Sequence, residues 1–219
     1  MKLALWHKVR YNPFFLVPML IWAVAGGILL ILVTKRNLFY VPNTNFNDVA
    51  NIVMPVVTRM GEASVILPVL LLLFLVPSLR NRYYLIQALC CNIIPFLIQQ
   101  ALKSIFDQPR PRLLFYDRMW MHYLPEWPVY LSRSFPSGHA TGAFSFFCFL
   151  AFLLPPGRRG WGIMFFLLAL MVAYSRLYLA THFFEDVYAG SLIGVLITTI
   201  TFSIVYQKKD AIWSTVPQK

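Results

Sequence analysis

The chain has 219 residues, 59% of them apolar and only 12% charged, with a mean hydropathy of +0.65. That composition excludes an ordinary soluble globular domain and points to a polytopic, all-α membrane protein forming a single domain over residues 1–219. The formal charge of +11 is not read as a nucleic-acid footprint. The basic residues stand at the ends of apolar runs, where they meet anionic lipid and set topology.

Six spans are predicted, each near the roughly 20 apolar residues that cross a bilayer as a helix. The first is Pro13 to Val33, a retained span rather than a signal peptide, because the apolar run is too long and its "AVA" falls inside it. The second is Ala63 to Leu79 and the third Tyr83 to Leu102. The fourth is Gly138 to Leu154, the fifth Gly160 to Tyr178 and the sixth Phe183 to Tyr206. Pro18, Pro68 and Pro95 fall inside spans, which membrane helices tolerate through kinks.

Six spans put both termini on one side, with ten cations there and nine on the other. The short cationic segments "SLRNR", "PPGRRG" and "YQKKD" assign the first side to the cytoplasm. The long segments Thr34 to Glu62 and Lys103 to Ser137 become outside loops. The second contains "LLFYDRMWMHYLPEWPVYL", either a segment in the headgroup layer or an ordinary extracytoplasmic loop. Cys90, Cys91 and Cys148 have neither disulfide nor zinc spacing and read as apolar fillers.

Three segments carry the polar chemistry to the outer face. "KSIFDQPRP" follows the third span, "SRSFPSGHATG" opens the fourth, and "YSRLYLATHFFED" joins the fifth to the sixth. They bring Lys103, Arg110, Ser137, His139, Arg176, His182 and Asp186 together. Three cations suit an anion with several oxygens, and arginine offers phosphate a planar fork. "PSGH" starts a helix: Ser137 is placed to cap it, Gly138 permits close backbone approach, and the free amides attract an anion. Two histidines suffice for a nucleophile and a general acid. His182 and Asp186 are four apart, on one helical face. Spacing alone does not say which histidine attacks, and Glu185 is a second candidate to orient His182.

The motifs K-x6-R-P (Lys103, Arg110, Pro111), P-S-G-H (Pro136 to His139) and S-R-x5-H-x3-D (Ser175, Arg176, His182, Asp186) resemble, in order and spacing, the tripartite signature of the type 2 phosphatidic acid phosphatase (PAP2) superfamily. The resemblance covers about Asp48 to Tyr206. It implies a metal-independent phosphatase without cofactor that works through a phosphohistidine. Carried over, His182 attacks phosphorus, Asp186 orients it and His139 protonates the leaving oxygen. Lys103, Arg110, Arg176, Ser137 and the Gly138 amide hold the phosphate. The expected partners are the bilayer and a membrane lipid phosphate, with undecaprenyl pyrophosphate first. Phosphatidylglycerol phosphate, phosphatidic acid and lipid A phosphates follow, with phosphotransfer to another lipid as a variant. The expected location is the bacterial inner membrane, with the site facing the periplasm.

Blander readings apply elsewhere. Arg112, Arg118 and Arg133 read as headgroup anchors, and His7 and His122 as interfacial side chains. Gly138 with Gly142, and Gly190 with Gly194, fit close helix packing. Three rival functions carry their own signals. A metal-dependent hydrolase would use His139, His182, Glu185 and Asp186 as ligands, beside three repelling cations. A transporter would place ionisable residues at span centres, which hold almost none. A vanadate-binding haloperoxidase would share the pocket, but those relatives are soluble.

Overall fold

The computed structural model describes residues 11–115 and 118–208. Among them nine α-helices follow in order: α1 (Pro13–Leu32), α2 (Lys35–Thr44), α3 (Asp48–Arg59), α4 (Ala63–Leu73), α5 (Arg82–Phe106), α6 (Pro111–Leu114), α7 (Gly138–Leu153), α8 (Trp161–Tyr178) and α9 (Phe184–Gln207). No strand occurs among the described residues. Local chemistry sets the helix starts. The side chains of Asn12, Thr34, Asn47, Asn81 and Ser137 each accept an amide of the helix that follows, satisfying donors that have no carbonyl partner.

Helix α7 lies in the centre, packed against α5, α8 and α9. Its Phe144, Phe146, Phe147, Phe149 and Phe152 are all buried, as befits a helix that is apolar on every side. Helix α1 lies outside against α8 and leaves Ile31 and Leu32 at 83% and 75% exposure, a surface suited to hydrocarbon. Helices α1, α8, α9 and the one beginning at Arg82 are each long and apolar enough to cross a membrane. Helices α3 and α4, bent by 57°, make a fifth crossing if they form one broken span. Helix α7, with 16 residues, rises about 24 Å and is apolar but shorter than a full span.

Two expectations change. The predicted second span, Ala63 to Leu79, is helical only to Leu73; a turn and a 3-10 segment at Pro77–Leu79 follow. The proline and the polar run Ser78, Arg80, Asn81 stop it. The predicted loop Thr34 to Glu62 is instead α2 and α3. Each is too short to register as a span and carries an internal proline. The other helices match their predicted bounds closely, except that α5 runs on to Phe106 and so carries Lys103 in its last turn. The terminal cations used for topology, Lys2, Lys8, Arg10, Lys209 and Lys219, lie outside the described residues, as does His7.

Of the four glycines expected to pack closely, Gly142, Gly190 and Gly194 do so, whereas Gly138 faces only the Gln99 side chain, 3.4 Å from its Cβ position. A Cβ on Gly190 would sit 2.7 Å from the Ser137 carbonyl oxygen, and one on Gly194 2.7 Å from that of Thr141. Helix α9 thus meets α7 backbone to backbone. Gly142 plays the same part toward Gly61, whose carbonyl oxygen lies 2.6 Å from the Cβ position.

Candidate active site

The polar residues gather at one end of the bundle, where α5 and α8 finish and α7 and α9 begin. Arg176, in the last turn of α8, is buried. Its Nη1 donates to Thr58 Oγ1 at 2.6 Å, while its Nε is buried without a protein acceptor. An unspent donor in such a place fits an anion. After α8 the chain turns tightly. The Thr181 and His182 amides both donate to the Arg176 carbonyl, and Thr181 Oγ1 donates there at 2.9 Å. That turn aims the His182 ring back at the arginines.

His182 and Asp186 pair as their spacing predicts, Nδ1 to Oδ2 at 3.2 Å, both buried. The Phe183 amide donates to the same Oδ2 at 2.9 Å. With Nδ1–H given to the carboxylate, Nε2 keeps its lone pair, and it lies 3.4 Å from Arg110 Nη1. Burial, then the charges of Arg110, Arg176 and Lys103, push the His182 pKa well below the ordinary histidine value. The ring is therefore held neutral. An imidazole so oriented, its unprotonated nitrogen accepting only a long bond from a cationic clamp, is equipped to attack phosphorus once an anion takes that donor.

Arg110 is anchored by backbone carbonyls. Its Nε donates to Ser132 at 2.8 Å and its Nη1 to Thr181 at 2.9 Å. The Tyr130 ring lies 5.0 Å from its guanidinium. Its guanidinium stays charged. Lys103 is half-buried and shares a recess of about 430 Å³ with Arg110 and Tyr130. A larger cavity of about 860 Å³ is lined by Glu62, Arg59, Trp127, Tyr130, His139 and Arg176. Tyr130 borders both.

The start of α7 completes the site. Buried Ser137 caps the helix through Oγ, which accepts from Ala140 N at 3.4 Å, and its own amide donates to the Asp186 carbonyl at 2.9 Å. The Gly138 and His139 amides are left at the helix end, suited to an anion. His139 Nε2 lies 3.3 Å from Glu62 Oε1.

All eight site residues expected from the sequence (Lys103, Arg110, Ser137, Gly138, His139, Arg176, His182 and Asp186) thus fall at this end. Glu185 does not join them: it pairs with Lys35 at 2.5 Å. Among the described residues no cluster of three or more histidine, cysteine or carboxylate side chains is set to hold a metal; of the four ligands weighed, Glu185 is turned away. His122 stacks on Phe46 at 4.0 Å and bonds Asn51 at 2.9 Å, a structural role for a side chain expected to be interfacial. The segment expected as headgroup layer or loop packs Met121 into an aromatic cluster with Phe39 and Phe183, and its Leu124–Pro128 stretch lines the larger cavity.

Sequence reasoning missed Thr58, Glu62, Ser134, Gln99 and Tyr130. Gln99 Nε2 holds the Pro136 carbonyl at 3.0 Å, and Ser134 Oγ donates to Asp186 Oδ2. The available signal for Thr58 and Glu62 was a polar cluster, "TRMGE", set directly before an apolar run.

The chain is similar in sequence and in fold to known proteins. The chain is 30% identical over 166 residues to the undecaprenyl-diphosphatase of Sulfolobus acidocaldarius, covering 73% of this chain and 74% of that one. It is 24% identical over 159 residues to the undecaprenyl-diphosphatase BcrC of Bacillus subtilis, covering 73% and 77%. The crystal structure of Aquifex aeolicus LpxE superposes with a TM-score of 0.66 at 26% identity, covering 76% of this chain and 93% of that one. Residues 83–210 match the model of the PAP2 superfamily, more than half of the length, and the chain, an integral membrane protein, belongs to that superfamily.

Proposed function

We propose that the protein hydrolyses a phosphate or diphosphate of a membrane lipid through a phosphohistidine. The observation that carries this is the His182–Asp186 pair, with unprotonated Nε2 held against the Arg110 guanidinium. His182 Nε2 attacks phosphorus as the bond to the leaving oxygen breaks, and His139 gives that oxygen its proton. Lys103, Arg110, Arg176, Ser137 and the Gly138 amide hold the non-bridging oxygens as charge builds on them. Neutral His139 then takes a proton from water. The water oxygen attacks phosphorus, the P–N bond breaks, and phosphate leaves with His182 restored. No metal or cofactor takes part.

Undecaprenyl pyrophosphate is the proposed substrate, supported by the names of two relatives that match most of this chain. The chain is one domain of six spans, counting α7 and the broken α3–α4 pair. Both termini lie in the cytoplasm and the site opens to the periplasm of the bacterial inner membrane. A transporter is disfavoured because the ionisable residues sit at one end of the bundle rather than along its length.

The test is phosphate release by the purified protein from a panel: undecaprenyl pyrophosphate, phosphatidylglycerol phosphate, phosphatidic acid and lipid A. Release is expected fastest from the first, unchanged in EDTA and absent in His182→Ala. Metal-dependent release would overturn the mechanism, and a different best substrate would overturn the lipid assignment.

A further inference from the structure

We propose that Glu62 is the carboxylate that positions His139, so that the site holds two histidine–carboxylate pairs, His182–Asp186 and His139–Glu62. This rests on the phosphatase reading above. Glu62 lies 77 residues before its partner and outside the three motifs, yet its Oε1 is 3.3 Å from His139 Nε2. Its other oxygen accepts from Ser64 Oγ at 3.0 Å, which steadies the carboxylate. Although Glu62 stands at the N-cap of α4, its side chain makes no capping bond; it turns instead into the cavity that His139 and Arg176 line.

The break between α3 and α4 delivers it there. A Cβ on Gly61 would lie 2.4 Å from the His139 carbonyl oxygen, so the break rests directly on the start of α7 with no side chain between. One turn earlier, Thr58 receives the Arg176 guanidinium. A single bend thus supports one residue from each of two motifs.

A carboxylate beside a phosphate site repels the substrate, so placing one there is costly unless it serves a neighbouring group. Bonded to one ring nitrogen, it fixes the imidazole's orientation, and the second nitrogen is left to serve the leaving oxygen. Glu62 acts through His139 and touches no reacting atom.

Leaving-group dependence tests this in the full-length protein. Two esters with the same alkyl tail are compared: one expels an alkoxide, which needs a proton, and the other a nitrophenolate, which does not. In Glu62→Gln, kcat on the alkyl ester is expected to fall about 30–100-fold with KM little changed. The loss on the nitrophenyl ester should stay below about threefold, and Glu62→Asp should recover part of the alkyl rate. Equal losses on both esters, a change in KM alone, or full activity would overturn the proposal. A wild-type protein that releases phosphate from neither ester nor any lipid of the panel overturns the phosphatase reading, and this inference with it.

Discussion

Ser134 and His182 share one acceptor: the Ser134 hydroxyl donates to Asp186 Oδ2 at 2.5 Å, and His182 Nδ1 lies 3.2 Å from the same oxygen. With the Phe183 amide also on Oδ2, three donors fix the carboxylate, which cannot turn without breaking all of them. Asp186→Asn presents a donor where acceptors are needed and is expected to lower kcat about 10²–10⁴-fold. Ser134→Ala removes one of the three supports and should cost about tenfold in kcat, with KM nearly constant. Steady-state phosphate release measures both, and an unchanged Asp186→Asn would refute the pairing.

The two adjacent carboxylates separate cleanly. Glu185 pairs with Lys35 across partly exposed side chains, an interaction worth about 0–1 kcal/mol. Glu185→Gln should therefore leave kcat within about threefold of wild type and stability nearly unchanged. A collapse of activity comparable to Asp186→Asn would mean that the histidine uses Glu185 instead.

The pH profile carries a sign. Burial and the charges of Arg110, Arg176 and Lys103 disfavour protonated His182, so its neutral, nucleophilic form persists below the ordinary histidine pKa of about 6.5. The acid limb of kcat/KM is expected below that value. Removing one cation with Lys103→Met relieves the repulsion and should move the limb upward, even as turnover falls. A limb that stays put would show that the limb reports another group.

The glycines make a contrast that thermal inactivation in detergent can read. Gly190→Ala drives a methyl to within 2.7 Å of the Ser137 carbonyl, an overpacking that should destabilise by about 1–3 kcal/mol. Gly157→Ala and Gly160→Ala meet nothing within 4 Å and should leave the inactivation temperature unchanged. If Gly190→Ala were equally silent, α7 and α9 would not be in backbone contact.

What was legible in the sequence followed how the signal is written. Helices α7, α8 and α9 are continuous apolar runs, and their motif residues lie at spacings that close within a turn, as His182 and Asp186 do. Helices α2 and α3 were hidden because 10 and 12 residues interrupted by Pro42 and Pro55 look like connecting chain. With α3 read as a loop, no spacing rule linked Thr58 to Arg176 or Glu62 to His139, pairs separated by 118 and 77 residues. Ser134 stood within a quoted motif, but its bond to Asp186 depends on how the segment before α7 turns back over α9. Local periodicity does not encode that path.

The backbone oxygens of Ser137, His139 and Thr141 each abut a glycine of another segment: Gly190, Gly61 and Gly194 respectively. Neighbouring backbones therefore touch the first turn of α7 from two sides, with no compressible side chain between. A slide or roll of the helix would drive an oxygen into a Cα. The amides at its tip are thus set in place before any ligand arrives. An anion docking there has little ordering left to impose, so its binding energy goes undiminished into the interaction itself.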